Sequence, residues 1–359
     1  MRQKLIILAS LIGICGFFIY LSCCDDCPTC PGEPVAGSYY VFLTDENQDP
    51  PYYIWVVNSG TDSLIDSLPT PDQYINCMDI APDGKYLATF APDLSGVLIY
   101  DTELMDSSAS ISPSGRPFFT PDNQYLLLTS FGPGVINKYS VPDWSFVASD
   151  TMPFEPRCLF KTKPYIVGSI DGKEYYIYDY ESMTIIKKDS LLRPDGTAPQ
   201  AIEFEISSDD KFLYFSARPD KIFKFEIETD SIVDSIFIVY GAYHGEIKCT
   251  PDGKYIIFAE STDWPDQMIG NLFIIDQASF TMYRRIPTWG LYPDMPSAPQ
   301  LPGRVTITPD CSKVYSAKVV WYSLQPLVFN LWDLSVSYIN GLPPDCSSRY
   351  IVVGRQIEK

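Results

Sequence analysis

Short apolar runs separated by polar turns recur along this chain, and within them side chains alternate with a period of two rather than 3.6, which predicts strands. The stretch "APDGKYLATF", Ala81 to Phe90, returns as "TPDNQYLLLT" from Thr120, "SSDDKFLYFS" from Ser207, "TPDGKYIIFA" from Thr250 and "TPDCSKVYSA" from Thr308. In this phrase Pro presets φ at the first corner, Asp bonds back to the backbone, and Gly takes a position that favours positive φ. The phrase is a tight turn between two strands.

A second phrase follows each time: "VLIYDTEL" from Val97, "VINKYSVP" from Val135, "YYIYDYES" from Tyr175, "IFKFEIET" from Ile222, "LFIIDQAS" from Leu272 and "VFNLWDLS" from Val328. Each is an apolar strand ending at a polar residue (Asp101, Ser140, Asp179, Glu226, Asp276, Asp333), then a turn into a short outer strand. The polar residues lie 39, 39, 47, 50 and 57 residues apart. Four antiparallel strands per unit of this length are the pattern of a β-propeller blade. Six complete units span about 73–111, 115–150, 155–188, 201–236, 241–286 and 303–339, the third having "KTKPYIVGS" in place of the Pro-Asp-Gly turn. Left over are "GSYYVFLTD" and "YYIWVVNSGTDSLIDSL" at the front, and "SRYIVVGRQ" from Ser348 at the back. Three strands from one end and one from the other make a seventh blade, with the C-terminal strand innermost, and that arrangement removes free sheet edges. The expected fold is an all-β, seven-bladed propeller of four-stranded antiparallel blades over 38–359, closed by strands from both ends of the chain.

With 46% hydrophobic residues, among them 25 Tyr and 20 Phe, the chain has ample apolar surface for such a ring. A formal net charge of −19 argues against a phosphate-tracking groove, so nucleic acid is not an expected partner.

The N-terminus carries an address. Arg2 and Lys4 precede the apolar run "LIILASLIGICGFFIYLS", Leu5 to Ser22, which stops at "CCDDCPTCPGEP". A basic start followed by an apolar segment is an export signal. Residues 1–23 are read as this signal or anchor and 24–37 as a Cys/Pro-rich tether. The end of the run, Leu21-Ser22-Cys23-Cys24, resembles the lipobox of bacterial lipoproteins, which implies cleavage before Cys23 or Cys24 and lipidation of that cysteine. An uncut anchor and plain secretion are the alternatives. All three place the following residues outside the cytoplasm, since the positive charges stay inside. The C-x-x-C-x-x-C spacing from Cys24 has no fourth ligand, so no metal site is expected there. Cys77, Cys158, Cys249, Cys311 and Cys346 fall on separate units, three of them on inner strands as small buried hydrophobes, and imply no disulfide framework.

Units such as "YYIWVVNSGTDSLIDSLPTPDQYINCMDIAPDGKYLATFA", Tyr52 to Ala91, resemble the YVTN-type repeats of bacterial cell-surface propellers, which share their fold with lactonase-like propellers. The resemblance covers nearly all of 38–356 and implies architecture rather than chemistry. The chain departs from it at the missing turn of the third unit and in the partial Gly-x-Pro lead-in, Gly115-Arg116-Pro117.

Connections on one face of the expected ring are short and uniform. On the other face they lengthen: "ESTDWPDQMIGN" (260–271), "PTWGLYPDMPSAPQLPG" (287–303), "KVVWYSLQPL" (318–327) and "KDSLLRPDGTAPQ" (188–200). Long loops on a rigid scaffold are where binding residues concentrate. These carry Trp264, Met268, Trp289, Tyr292, Met295, Trp321 and Tyr322, either as an exposed interface centre or folded down over the channel. Asp263, Asp266 and Asp294 lack the regular spacing of a calcium loop. For catalysis the chain offers His244, its one histidine, with Glu246 two residues on and on the same strand face. It has no G-x-S-x-G elbow, P-loop or G-x-G-x-x-G after a strand, and no cofactor is implied. The primary expectation is a non-enzymatic binding scaffold in the cell envelope, held to a membrane and engaging a protein, glycan or peptide. The alternative is a lactonase-like hydrolase acting in the channel at His244 and Glu246.

Overall fold

The computed structural model describes residues 37–357, apart from 46–51, 72–74, 92–95, 194, 219–220, 239–244, 261–270, 289–301, 319–325, 344–345, 347 and 349. Seven four-stranded antiparallel sheets form seven blades of a β-propeller. Their innermost strands are, in ring order, Cys77–Ile80 (blade 1), Arg116–Phe119 (blade 2), Glu155–Leu159 (blade 3), Gln200–Ile206 (blade 4), Ile247–Cys249 (blade 5), Pro302–Ile307 (blade 6) and Ile351–Gln356 (blade 7). Blade 7 is the composite one. Its outer three strands are Tyr39–Thr44, Tyr52–Asn58 and Ser63–Thr70, and the C-terminal strand pairs with the first of these in the register Val41 to Val353 and Leu43 to Ile351.

The core lies between blades, in seven apolar clusters that each draw on two adjacent sheets. Period-two alternation is what allows this. Val41 and Leu43 face blade 6, whereas Phe42 between them faces blade 1, and all three are fully buried. An inner-blade strand therefore reads as a continuous apolar run, "YLATF" or "YIIFA", while the outermost strands stay largely exposed.

The repeated turn is built as its sequence implies, with one addition. Its Asp accepts from the backbone two residues on, as Asp83 does from Lys85 N–H at 2.9 Å and Asp252 from Lys254 N–H at 3.0 Å. Gly84 and Gly253 occupy the left-handed region, and Asn123, Asp210 and Cys311 adopt the same conformation where the phrase lacks Gly. The addition is the residue that opens the phrase. Thr120, Ser207, Thr250 and Thr308 are fully buried, and each hydroxyl accepts from the backbone N–H that starts the next strand. In blade 3, where the turn reads Lys161-Thr162-Lys163, the missing Asp is supplied from outside. Asp210 of blade 4 accepts from Lys161 N–H at 2.6 Å and Thr162 N–H at 2.9 Å.

The outer turn of every blade carries one non-glycine residue at positive φ: Asp62, Met105, Trp144, Met183, Asp230, Phe280 and Leu334. A bulky residue in that conformation is strained. The compensation comes from the preceding blade. Trp144 packs edge-on against Tyr86 at 5.0 Å, Phe280 stacks on Tyr214 at 5.8 Å, Asp230 pairs with Lys187 at 2.6 Å, and Asp62 with Lys313 at 2.8 Å. In blade 6 the third strand ends at Asn330 rather than running to Asp333. Asn330 fills the turn-starting role by accepting from Trp332 N–H at 2.9 Å, and Asp333 instead caps Ser335 N–H.

Candidate functional site

Inner strands from all seven blades wall one cavity of about 500 Å³ on the ring axis. Numbering back from the turn, the side chains that reach it come from alternate positions. Asp79, Glu205 and Lys248 sit two residues before the turn, and Arg116, Glu246 and Arg304 two residues earlier. Arg157 and Lys161 of blade 3 complete the charged lining, giving five cationic against three acidic side chains in a chain whose overall charge is −19.

Along blades 3 to 6 these charges form a continuous chain. Lys161 pairs with Glu205 at 2.7 Å, Lys248 with Glu205 at 3.9 Å and with Glu246 at 3.4 Å, and Arg304 with Glu246 at 3.5 Å. Glu205 is almost wholly buried, its side chain 3% exposed, and so depends on its two lysines for compensation. Burial alone would raise the Glu246 carboxyl. Lys248, Arg304 and the Val305 N–H, which donates at 2.6 Å, more than reverse that and hold it below the ordinary carboxylate range. Burial likewise works against Lys248, and the carboxylates of Glu246 and Glu205 override it, so this amine stays charged.

Blades 1 to 3 differ. The Arg116 guanidinium lies over the Phe118 ring at 5.0 Å and makes no ion pair among the described residues. Arg157 bonds Glu155 at 3.0 Å through Nη2, while its buried Nε has no partner among them. Asp79 accepts from Phe119 N–H of the next blade at 2.6 Å. Its burial raises the carboxyl to about 6, against the pull of that N–H, of Lys248 and of Arg116. Asp79 and Lys248, from blades 1 and 5, line the same cavity, so these charges share one space. The two thiols in the lining, Cys77 and Cys158, are pushed up to about 12 by burial and stay protonated, which makes them poor nucleophiles.

Of the candidate catalytic and binding residues read from the sequence, Glu246 alone falls within the described part of the chain, and it lines the channel. His244, Trp264, Met268, Trp289, Tyr292, Met295, Trp321, Tyr322, Asp263, Asp266, Asp294 and the N-terminal Cys23 and Cys24 lie outside the described residues. Among the described residues no cluster of His, Cys, Asp and Glu side chains is placed to hold a metal ion. Of the five cysteines of the ring, Cys77, Cys158 and Cys346 are buried. Sequence reasoning passed over the channel charges, although a signal was there. "EFE" before Ser207, "EIK" before Cys249 and "RVT" before Ile307 place charged or polar residues at alternate positions of strands whose other face is core.

A scan against protein-family models and a search of curated proteins return no match. Solved structures do resemble the chain. A functionally unknown protein from Desulfotomaculum acetoxidans aligns with a TM-score of 0.66 at 12% identity, covering 89% of this chain and all of that one. The β-propeller domain of Cps50 (Swd1) from Myceliophteria thermophila aligns at 0.59 and 12% identity over 75% of this chain and 87% of that one. Hydrazine synthase from Kuenenia stuttgartiensis aligns at 0.56 and 15% identity over 71% and 76%. Likeness at these identities shows the fold alone.

Proposed function

We propose that this chain is a non-enzymatic binding scaffold that stands outside the cytoplasm, tethered to a membrane through Cys23 or Cys24, and presents loops of the propeller to an envelope protein, glycan or peptide. The observation that carries this reading is the asymmetry between the two faces of the ring. On one face, the turn from innermost to second strand spans five residues in each of blades 1 to 6, from Ile80 to Tyr86 through Ile307 to Lys313, and the outer turns take four or five. On the other, strand ends in blades 5 and 6 are separated by residues 261–270, 288–301 and 319–326. A rigid ring with uniform turns below and long aromatic-rich connections above is built for display. The channel chemistry supports binding over hydrolysis. Glu246 is engaged by two cations and a backbone N–H and held low, whereas a general base works best near the operating pH.

The kinship with YVTN-type surface propellers and the lipoprotein anchor belong to the same reading. The test is a capture experiment from native envelope extract with the detergent-solubilised full chain, beside a form with shortened 260–271 and 287–303 loops and an unchanged melting temperature. A partner retained by the first and lost by the second is the expected result. A partner held equally by both forms would remove the loops from the mechanism. Metabolic labelling with a fatty-acid probe, lost on Cys23→Ser or Cys24→Ser, tests the anchor.

A further inference from the structure

The channel goes beyond the loop-presentation reading, because its charges are not balanced on the two sides of the ring. On blades 3 to 6, three cations share two carboxylates in the chain Lys161, Glu205, Lys248, Glu246, Arg304. On blades 1 to 3, Arg116 projects into the same cavity without an ion pair among the described residues, and Arg157 keeps an unbonded Nε. Asp79, which lines the same cavity, makes no ion pair with Arg116 and accepts from the Phe119 N–H. A guanidinium without an ion-pair partner in a walled cavity is costly unless water or an anion satisfies it. Its planar fork matches the two oxygens of a carboxylate or phosphate. The chain as a whole is acidic, whereas in this cavity cations outnumber acids five to three, so an anion is favoured there.

We propose that the central channel is a binding site for a small organic anion carrying at least two carboxylate or phosphate groups, held by Arg116 and Arg157 on one wall and reaching Lys248 or Arg304 on the other. The cavity of about 500 Å³ admits a ligand of that size. Phe118, under the Arg116 guanidinium, supplies an apolar floor for the ligand's carbon skeleton. Asp79 works against the ligand, since its carboxyl group lines the same cavity.

The test is calorimetric titration of the full chain with citrate and, separately, with pyrophosphate at low salt. The expected result is saturable 1:1 binding of one or both probes, weakening as salt rises. Citrate alone identifies a polycarboxylate site, and pyrophosphate alone a phosphate site. Arg116→Gln and Arg157→Gln should each weaken binding about tenfold or more, the loss of a charge-assisted hydrogen bond. Asp79→Asn should tighten it, and Lys173→Gln on the exposed surface should leave it unchanged. Retention of the wild-type melting temperature identifies the variants that fold, and either arginine variant suffices. No saturable heat with either probe at about 10 mM, well above the range of specific sites, overturns the proposal. So does an affinity indifferent to both arginines. Neither result touches the loop-capture experiment, so failure here is distinguishable from failure of the scaffold reading.

Discussion

Removing the Asp62 carboxylate should loosen the seam where the chain closes on itself. Asp62 sits in the outer turn of blade 7 at φ 50°, and its two oxygens reach blade 6. One accepts from Lys313 Nζ at 2.8 Å, and the other from the hydroxyl of the fully buried Tyr315. Burial, then the neighbouring carboxylate, raises the Tyr315 phenol well above its usual range, so it stays a donor. A hydrogen bond from a buried hydroxyl to a charged acceptor is worth about 1.5–3 kcal/mol. The ion pair, with both side chains 18% exposed, adds on the order of 1 kcal/mol. Alanine in the left-handed region costs about 1 kcal/mol more than a residue that tolerates it. Asp62→Ala should therefore destabilise by about 3–5 kcal/mol. For a chain of this size that corresponds to a fall in melting temperature of roughly 5 °C. Equilibrium urea unfolding measures the free energy, and Tyr315→Phe completes a double-mutant cycle. Asp62→Asn, which keeps the backbone preference, should lose less than Asp62→Ala. A cost below about 1 kcal/mol, or strict additivity with Tyr315→Phe, would show that the clasp is not an energetic unit and refute the reasoning.

Three further outcomes follow from particular contacts. The raised Asp79 carboxyl binds its proton in the folded chain at a pH where the unfolded chain has lost it. Its contribution therefore strengthens the fold as pH falls from above 6 towards 4, and is lost as pH rises through about 6. Denaturation midpoints between pH 4 and 8 should show about 1–3 kcal/mol of this dependence, and Asp79→Asn should flatten it; identical profiles would contradict the assignment. Gly84→Ala should be far more damaging than Gly132→Ala although both residues have positive φ. A Cβ at Gly84 would lie 2.2 Å from the Arg355 backbone nitrogen in the closing strand, whereas one at Gly132 meets nothing within 4 Å, so Gly132→Ala should cost only about 1 kcal/mol. Asp210→Ala should expose the Lys161 and Thr162 amides to faster hydrogen exchange and destabilise by about 2–4 kcal/mol; unchanged exchange at those two amides would show that blade 3 does not borrow its turn acceptor from blade 4.

The ring itself was legible from the chain. Period-two alternation and the recurring Pro-Asp turn are local properties, and each is dictated by bonds within a few residues of itself. Counting the units, with strands left over at both ends, then gave seven blades and the composite closure. The lines between units were less legible where a repeat departed from its pattern. The third unit has no Asp in its turn, and its acceptor comes from Asp210, nearly fifty residues away, which no local rule locates. The same holds for Trp144 and Phe280, whose strained turn conformations make sense only against the neighbouring blade.

The channel was decided by tertiary structure alone. An alternating charge on an inner strand, such as Glu246 and Lys248 or Arg304, says only that one face of that strand is polar. Whether Lys248 on blade 5 meets Glu205 on blade 4, or shares a cavity with Asp79 of blade 1, depends on seven strands converging from Cys77–Ile80 to Ile351–Gln356. Sequence therefore determined the local chemistry of each strand and turn, because those are set by dihedral preferences and alternation. Only the closed ring determined which charges share a cavity and which, like Arg116, are left there without an ion pair among the described residues, because Coulomb interactions depend on distance in space and not along the chain.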